Sequence, residues 1–320
     1  MHLEDTLSIV IIGRNVAPHL ARLGSGPPRL QSAREIIYVD SASDDDSVSL
    51  ATRLGWRPII LRREGILSPA AGRHVGASQA CGEFVLFLDA DMELAQEANL
   101  PEIVGWLSAH PDVAGLCGTV IDRYPDGTMR RRRVYHQPFE EAHFFGGLIL
   151  LRTAVLLAAG NWNPSVLANE ELELHARLKA KGRRVVFHPA LECLHYTRSR
   201  DLFSSLLSVY APLSRRDRLF YGGYGMAARA AFKAGSLGWL LRLAPEPPLT
   251  LFGGLGILAA LATGKAVLGL GLALVLGLLI IRRRSLLYAA ACPGLALHVL
   301  VGWFRYQERN PVCEAANGLT

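Results

Sequence analysis

The sequence predicts an α/β fold in which a mostly parallel, Rossmann-like sheet with flanking helices is followed by C-terminal transmembrane helices. Three observations predict it. Short apolar runs alternate with helical segments in the first third of the 320 residues, which indicates βαβ units. Several of these runs end directly in an amide or acidic side chain. A long apolar window between Glu246 and Glu308 contains no Asp or Glu.

The elements of the parallel sheet follow from these runs in order. Apolar residues at 7–12, 36–39 and 58–61 predict the first three strands. After the second strand we expect a helix with Ser43 as its N-cap and three aspartates in its first turn. Ser68 and Pro69 predict the cap and first residue of a further helix, which closes at Gly82.

The fourth predicted strand, residues 84–88, runs straight into Asp89-Ala90-Asp91. In open sheets of this kind, ligands bind beyond the carboxyl ends of the strands, where Asn15 and Asp40 are also expected. Two close carboxylates repel each other unless a cation neutralises them. Mg²⁺ and Mn²⁺ prefer oxygen ligands and often take one or two carboxylates plus substrate phosphates. The pair therefore predicts a divalent cation bound to a diphosphate, with a solvated turn as the alternative.

With these segments in place, the chain resembles the family-2 nucleotide-sugar glycosyltransferases, which have the GT-A fold. The resemblance covers residues 7–195 and depends on the order of five segments, none of which is decisive alone. They are SIVIIGRN, IIYVDSASDDDS, AAGRHVGASQACGEFVLFLDAD, FFGGLILLRTAVLLAAGNWNP and NEELELHARLKAKGRRV.

The resemblance implies a donor site for a nucleotide-diphosphate sugar. It places Asn15 at the end of the first strand, Asp40 at the nucleobase and Arg73 at the nucleotide. Asp89 is implied to lie near the ribose and the metal, and Asp91 to ligate the metal, which is Mg²⁺ or Mn²⁺. Ser41 stands where the family commonly has a second Asp, so the identity of the base stays open.

The resemblance also implies a general base and an acceptor segment. Glu171 stands where the family has its catalytic Asp, with Glu170 beside it, and would take a proton from the acceptor hydroxyl in an inverting reaction. Gly146 and Gly147 fall in the acceptor segment, and His195 corresponds to a late metal-binding histidine of related enzymes. Acids in a first helical turn also stabilise the helix dipole, and a lone histidine is more often structural, so these alternatives remain.

The acid-free window predicts a membrane anchor. We expect a hairpin of two helices at 249–281 and a third pass at 286–304, because a two-pass arrangement would put three arginines outside. Amphipathic segments at 201–248 are expected to lie at the bilayer surface. The GT-A domain is then 1–200 and the tail 307–320. Since residues 1–6 are polar and acidic, we expect no signal peptide and a catalytic domain that faces the cytoplasm.

Charge distribution, cysteine content and one local motif argue against a nucleic-acid-binding protein, a disulfide-bonded protein and a NAD-binding enzyme. The net charge of +6 comes from basic clusters without interleaved aromatic residues, which favours a phosphate-bearing substrate or anionic lipid over nucleic acid. Five scattered cysteines fit a reduced compartment. Gly13-Arg14-Asn15 lacks the glycine-rich turn of a NAD-binding enzyme.

The sequence therefore predicts a membrane-anchored, metal-dependent glycosyltransferase that acts on a lipid-associated or glycan acceptor. One alternative is a polyprenyl-phosphate sugar synthase, whose acceptor is the lipid phosphate itself. The other is a membrane-tethered protein that binds a nucleotide sugar without turnover.

Overall fold

The structure is a computed structural model that describes residues 3–25, 30, 32–96, 98–131, 137–142, 145–197, 215–265, 267–271, 273–274, 277 and 298–315. The chain divides into two compact units. The first comprises Met1–Ser165, Arg177–Ser199 and Glu308–Thr320, and the second comprises Val166–Ala176 and Arg200–Gln307.

Within the described residues, ten strands form one sheet in the first unit. The strands are β1 Leu7–Gly13, β2 Glu35–Asp40, β3 Arg57–Leu61, β4 Phe84–Asp89, β5 Met92–Leu94, β6 Val113–Arg123, β7 Met129–Arg131, β8 Ile149–Arg152, β9 Arg184–Tyr196 and β10 Cys313–Ala315. Their order across the sheet is β10-β3-β2-β1-β4-β8-β6-β9-β5, and β7 pairs with β6.

The named helices lie between and after these strands. They are α1 Leu3–Thr6, α2 Ala17–Ser25, α3 Ser47–Arg53, α4 Pro69–Gln79, α5 Leu100–Ser108, α6 Thr153–Ala158, α7 Glu170–Ala180, α8 Arg215–Lys233, α9 Leu237–Leu243 and α10 Glu246–Ala262. The predicted cap of α4 is confirmed, because the side chain of Ser68 accepts a hydrogen bond from the Ala71 N–H at 3.0 Å.

The predicted α/β fold is confirmed, but the sheet is mixed rather than mostly parallel. Strands β3, β2, β1 and β4 run parallel, as the alternation with helices predicts. Strand β8 is antiparallel to both β4 and β6, and β5, β7 and β10 are antiparallel to their partners. For one of these pairs the reason is local, because β6 and β7 are joined by a tight turn with Gly127 at φ 85° instead of a helix. A tight turn can connect only antiparallel neighbours.

The central strands β1 and β4 are buried on both faces, which is why both read as uninterrupted apolar runs. Helix α4 packs against β1 through its glycines. A Cβ atom at Gly76 would lie 2.3 Å from Cγ1 of Val10, whereas a Cβ atom at Gly105 in α5 would meet nothing within 4 Å. Only the first of these two helical glycines is therefore required by packing.

We expect the substitutions Gly76→Ala and Gly105→Ala to shift stability in opposite directions. Gly76→Ala overpacks α4 against a fully buried, β-branched side chain and should cost about 1–3 kcal/mol. Gly105→Ala fills open space in a helix and should stabilise the protein by about 0.5–1 kcal/mol. Thermal unfolding of the two variants beside the unchanged protein measures both effects. A shift of the same sign in the two variants would contradict the packing described here.

The C-terminal segment returns to the sheet, which the sequence did not predict. Strand β10 pairs antiparallel with β3, and the Arg62 N–H donates to the Val312 carbonyl at 2.8 Å. Arg62 also forms an ion pair with Glu314. The residues predicted as a tail thus cover an edge of the sheet, which protects the backbone groups of β3 from pairing with another chain.

The second unit has its own apolar core, in which Leu172 of α7, Tyr224 of α8 and Leu240 of α9 are buried. The backbone of α8 closely approaches the helical residues 298–305. A Cβ atom at Gly302 would lie 1.9 Å from the Gly222 carbonyl oxygen, and one at Gly225 would lie 2.0 Å from the Val299 carbonyl oxygen. Glycine at these positions lets the two helices of this unit pack backbone against backbone.

The predicted transmembrane helices find no support in the part of the chain that the structure describes. None of its helices there combines the length and the apolar character that crossing a membrane requires. Residues 266, 272, 275–276 and 278–281 of the predicted hairpin and 286–297 of the predicted third pass lie outside the described residues. So do residues 201–214 of the predicted interfacial segment.

Candidate active site

The ends of three parallel strands bring several predicted site residues to one edge of the sheet. Gly13 of β1 pairs with Asp40 of β2, and Ile12 of β1 pairs with Asp89 of β4. The two carboxylates therefore flank the end of β1, and Asn15 follows in the loop. This convergence is the arrangement that the sequence predicts.

Asp40 is fully buried and held by hydrogen bonds. Its Oδ2 accepts from the Ser43 N–H at 2.7 Å, and its Oδ1 accepts from the hydroxyls of Ser43 and Tyr38. Burial, and then the charge of Asp40, raise the pKa of Tyr38, so this hydroxyl stays protonated and can donate. The prediction that Ser43 caps a helix is wrong: α3 begins at Ser47, and Ser43 instead fixes the carboxylate.

Asn15 joins the loops that follow β1 and β2. Its backbone N–H donates to the Ser43 hydroxyl at 2.8 Å, and its side-chain oxygen accepts from the Asp44 N–H at 2.8 Å. It adopts a positive φ of 54°, which asparagine tolerates better than most residues. The structure thus gives Asn15 a role in shaping the loops around Asp40.

Arg73 reaches the edge of the sheet from α4 and is almost completely buried. Its Nη2 donates to Oδ1 of Asp89 at 2.8 Å, and its guanidinium carbon lies 5.2 Å from the centre of the Trp162 ring. Burial raises the pKa of Asp89, against the lowering effect of Arg73, and the charge of Asp91 adds to the rise. Arg73 therefore balances and orients the Asp89 carboxylate, which remains partly exposed.

The two predicted acceptor glycines differ in what surrounds them. A Cβ atom at Gly147 would lie 2.6 Å from Oδ2 of Asp89 and 3.2 Å from the terminal methyl of Met92. A Cβ atom at Gly146 would meet nothing within 4 Å. Gly147 is the position where a side chain would displace the Asp89 carboxylate.

Asp91 lies beside His195, as pairing of β5 with β9 places Met92 opposite this histidine. The distance from His195 Nε2 to Asp91 Oδ2 is 3.4 Å, and that from His195 Nδ1 to Asp122 Oδ1 is 2.7 Å. Burial opposes the ionisation of Asp91, but the hydrogen bond and the charge of His195 outweigh it and lower the pKa of Asp91. The imidazole is thus held between two carboxylates.

These residues fit a divalent cation that also takes ligands from a substrate. Among the described residues, no group of three or more His, Cys, Asp or Glu side chains forms a complete metal site. Asp91 and His195 supply two ligands, and adjacent ligands of one octahedral Mg²⁺ lie about 3 Å apart, close to the separation seen here. Asp122 contacts the second ring nitrogen, as carboxylates do that orient metal-binding histidines.

Asp122 is the residue that sequence reasoning missed. It is paired with His195 by the parallel register of β6 and β9, over residues more than 70 positions apart. No local motif signals that register. Asp89, also predicted to bind the metal, has one oxygen on Arg73, and its assignment to the metal stays a prediction.

Glu170 and Glu171 lie in the first turn of α7, in the second unit. Glu170 is buried and Glu171 is half-buried, and Asn169 precedes them with a positive φ of 63°. The predicted helix start is confirmed. Their place at a helix N-terminus fits both the predicted catalytic role and the stabilisation of the helix dipole.

Comparison with known proteins gives a family match for part of the chain, including Asp40, Arg73, Asp89 and Asp91. Residues 20–158 match the model of the family described as Glycosyl transferase family 2. This match covers less than half of the chain and shows a resemblance of these residues to that family. An uncharacterized glycosyltransferase of Rickettsia conorii is 33% identical to the chain over 96 residues, 30% of this chain and 32% of the relative. The chain thus matches about a third of the length of that relative.

Solved structures similar to this chain include two that cover most of it. A mannosyltransferase from Pyrobaculum calidifontis, in complex with GDP-Man and Mn²⁺, has 17% identity and a TM-score of 0.52 over 94% of this chain and 88% of its own. TarS residues 1–349 of S. aureus, in complex with UDP-GlcNAc, have 16% identity and a TM-score of 0.52 over 74% of this chain and 70% of their own. At these identities the similarity shows the fold alone, which is GT-A-like.

Proposed function

We propose that this protein is a metal-dependent glycosyltransferase that uses a nucleotide-diphosphate sugar as its donor. The proposal depends mainly on one observation. Asp91, His195 and Asp122 lie together at the edge of the sheet where β2 and β4 end in Asp40 and Asp89. A family 2 domain with an acidic residue and an oriented histidine in contact is suited to hold a cation against a diphosphate. The similar mannosyltransferase structure contains GDP-Man and Mn²⁺, which supports the same type of donor here.

In this proposal each residue of the first unit has a distinct task. Asp40, fixed by Ser43, contacts the nucleobase, and Arg73 holds Asp89 in position for the ribose. Asp91 and His195 would bind the Mg²⁺ or Mn²⁺ ion. When bound, the ion would stabilise the negative charge that develops on the departing diphosphate.

The acceptor side of the proposal depends on Glu171. It would take the proton of an acceptor hydroxyl as that oxygen attacks the anomeric carbon, which inverts the configuration there. Glu170, its buried neighbour, would help to set its position. This chemistry requires a hydroxyl on the acceptor, which would be a lipid-linked or glycan molecule.

A membrane location is part of the proposal. The acid-free window from 247 to 307 and the exposed side chains of Phe252, Leu255 and Leu261 within it support contact with lipid. The catalytic domain would then face the cytoplasm, where nucleotide sugars are made. An acceptor linked to lipid would reach the enzyme along the same surface.

A thermal-shift screen of the detergent-solubilised protein tests the donor. We expect one of UDP, GDP and dTDP to raise the unfolding temperature in the presence of Mn²⁺ and not in EDTA. At 100 times its Kd, a ligand stabilises the folded protein by about 2.7 kcal/mol, enough for a shift of several degrees. If no nucleoside diphosphate gives a Mn²⁺-dependent shift, the proposed function is wrong. Hydrolysis of the matching nucleotide sugar then distinguishes an enzyme from a protein that only binds the donor.

The substitution Gly147→Ala is expected to weaken binding of that donor by roughly 10- to 100-fold, because the new methyl would displace the Asp89 carboxylate. Gly146→Ala is the matched control and should bind the donor as the unchanged protein does, since its methyl enters open space. Titration calorimetry with the nucleoside diphosphate and Mn²⁺ measures both. Equal losses in the two variants would show that the contact with Asp89 is not the cause.

A further inference from the structure

A cavity of about 460 Å³ opens in the first unit, next to the proposed metal ligands. Its walls come from α2, from the end of β6 with the turn after it, and from the end of β9. The lining includes His19, Arg22, Arg123, Tyr124 and Tyr196. The mechanism described above uses none of these side chains.

Two arginines of this cavity contact the same aromatic ring. The guanidinium carbon of Arg22 lies 3.9 Å from the centre of the Tyr196 ring, and that of Arg123 lies 5.6 Å from it. The ring is itself fixed, because the Tyr196 hydroxyl donates to Glu93 at 2.7 Å. A guanidinium near a ring face keeps N–H groups at its edge for an anion, which it can bind through two parallel hydrogen bonds.

Neither arginine of this cavity is engaged by a carboxylate in the described residues. Asp91 and Asp122 are both in contact with His195, and Glu93 accepts the hydrogen bond of Tyr196. The cavity therefore presents two guanidinium groups that suit a doubly charged anion.

An anion in this cavity would be a group other than the donor diphosphate. In the proposed function, the donor diphosphate is bound by the divalent ion at Asp91 and His195 and not by these arginines. Tyr196 directly follows His195, and its N–H donates to the Asp91 carbonyl at 2.8 Å, so the cavity adjoins this metal site. An anion bound in this cavity would lie beside the donor diphosphate, where the acceptor has to bind.

We infer that this cavity binds a phosphate monoester group carried by the acceptor, with Arg22 and Arg123 on the phosphate oxygens. The inference rests on the proposed function and narrows its acceptor to a phosphorylated molecule. The cavity is larger than a phosphate group, so part of the molecule that carries the phosphate can enter beside Tyr124. A lipid phosphate and a phosphosugar share this chemistry.

Titration calorimetry of the full chain in detergent and metal-free buffer tests the site. The probes are inorganic phosphate, geranyl phosphate and glucose 6-phosphate, with geraniol as the neutral control. We expect the phosphates to bind, geraniol not to bind, and Arg22→Gln and Arg123→Gln each to weaken phosphate binding at least about tenfold. Arg53→Gln, a change of an exposed arginine in α3, should leave binding unchanged. Tighter binding of geranyl phosphate identifies a lipid source, and tighter binding of glucose 6-phosphate identifies a phosphosugar.

The same variants in the thermal-shift screen separate this inference from the proposed function. The Mn²⁺-dependent response to the nucleoside diphosphate should survive in Arg22→Gln and Arg123→Gln. If these variants lose it, the cavity belongs to the donor and the inference is wrong, while the proposed function stands. Phosphate binding that is unchanged in both variants also overturns the inference. If no nucleoside diphosphate binds but phosphate binding needs both arginines, the proposed function fails and the phosphate site remains.

Discussion

Replacement of Asp91 by asparagine is expected to lower sugar transfer by about 10³-fold and to abolish the response of the protein to Mn²⁺. Asparagine keeps the size of the side chain but removes the negative charge that a divalent ion requires beside His195. Loss of several kcal/mol of charge stabilisation in the transition state corresponds to a rate change of this order. Initial rates of donor consumption over a range of Mn²⁺ concentrations measure the effect.

The control for this change is Asp5→Asn, which removes the same charge from an exposed position in α1. It should transfer sugar at the rate of the unchanged protein. A rate for Asp91→Asn within threefold of the unchanged protein, with the same dependence on Mn²⁺, would show that Asp91 does not bind the catalytic ion. The proposed function would then lose its central support.

The substitution Glu171→Gln is expected to reduce turnover by about 10²- to 10⁴-fold while donor binding stays the same. Glutamine occupies the same space but cannot accept the proton of the acceptor hydroxyl, so only the chemical step is affected. Turnover is measured at saturating donor and acceptor, and donor binding by the Mn²⁺-dependent thermal shift. Glu140→Gln, at an exposed position, is the matched control and should have no effect.

The result at Glu171 also discriminates between two kinds of acceptor. A phosphate dianion is already a nucleophile and needs no strong base, as in a polyprenyl-phosphate sugar synthase. Turnover that survives in Glu171→Gln would therefore contradict attack by a hydroxyl and favour attack by the phosphate oxygen itself. Together with the arginine variants, this experiment shows whether the acceptor phosphate reacts or only anchors the acceptor.

The parts of the fold that sequence predicted are those determined by local pattern. Buried parallel strands appear as apolar runs, and a Ser-Pro pair before a helix satisfies the first free N–H groups, so β1 to β4 and α4 could be found. The three aspartates after Asp40 misled the prediction because they resemble an acidic first turn. In the structure the backbone turns here instead, with Ala42 at φ 57°. The turn lets the Ser43 N–H donate a hydrogen bond to the Asp40 carboxylate.

The parts that sequence could not predict depend on pairing between distant residues. The contact of Asp122 with His195 and the pairing of β10 with β3 both follow from strand register. The residues near each position in the sequence do not indicate that register. The sheet beyond β4 is mixed because β8 lies antiparallel between β4 and β6, strands from which it is separated along the chain. Five predicted site residues lie in the first unit: Asp40, Arg73, Asp89, Asp91 and His195. The roles assigned to them stay predictions.

The pairing of β10 with β3 makes residues 200–307 an insertion rather than an appendage. The polypeptide leaves the sheet after β9, builds most of another unit, and comes back to finish the sheet it left. The entropic cost of closing so long an excursion grows only slowly with its length, so the sheet can tolerate a large inserted unit. A truncated chain ending near residue 200 would therefore lack a strand of its own catalytic sheet, and one cut cannot divide this protein into its two units.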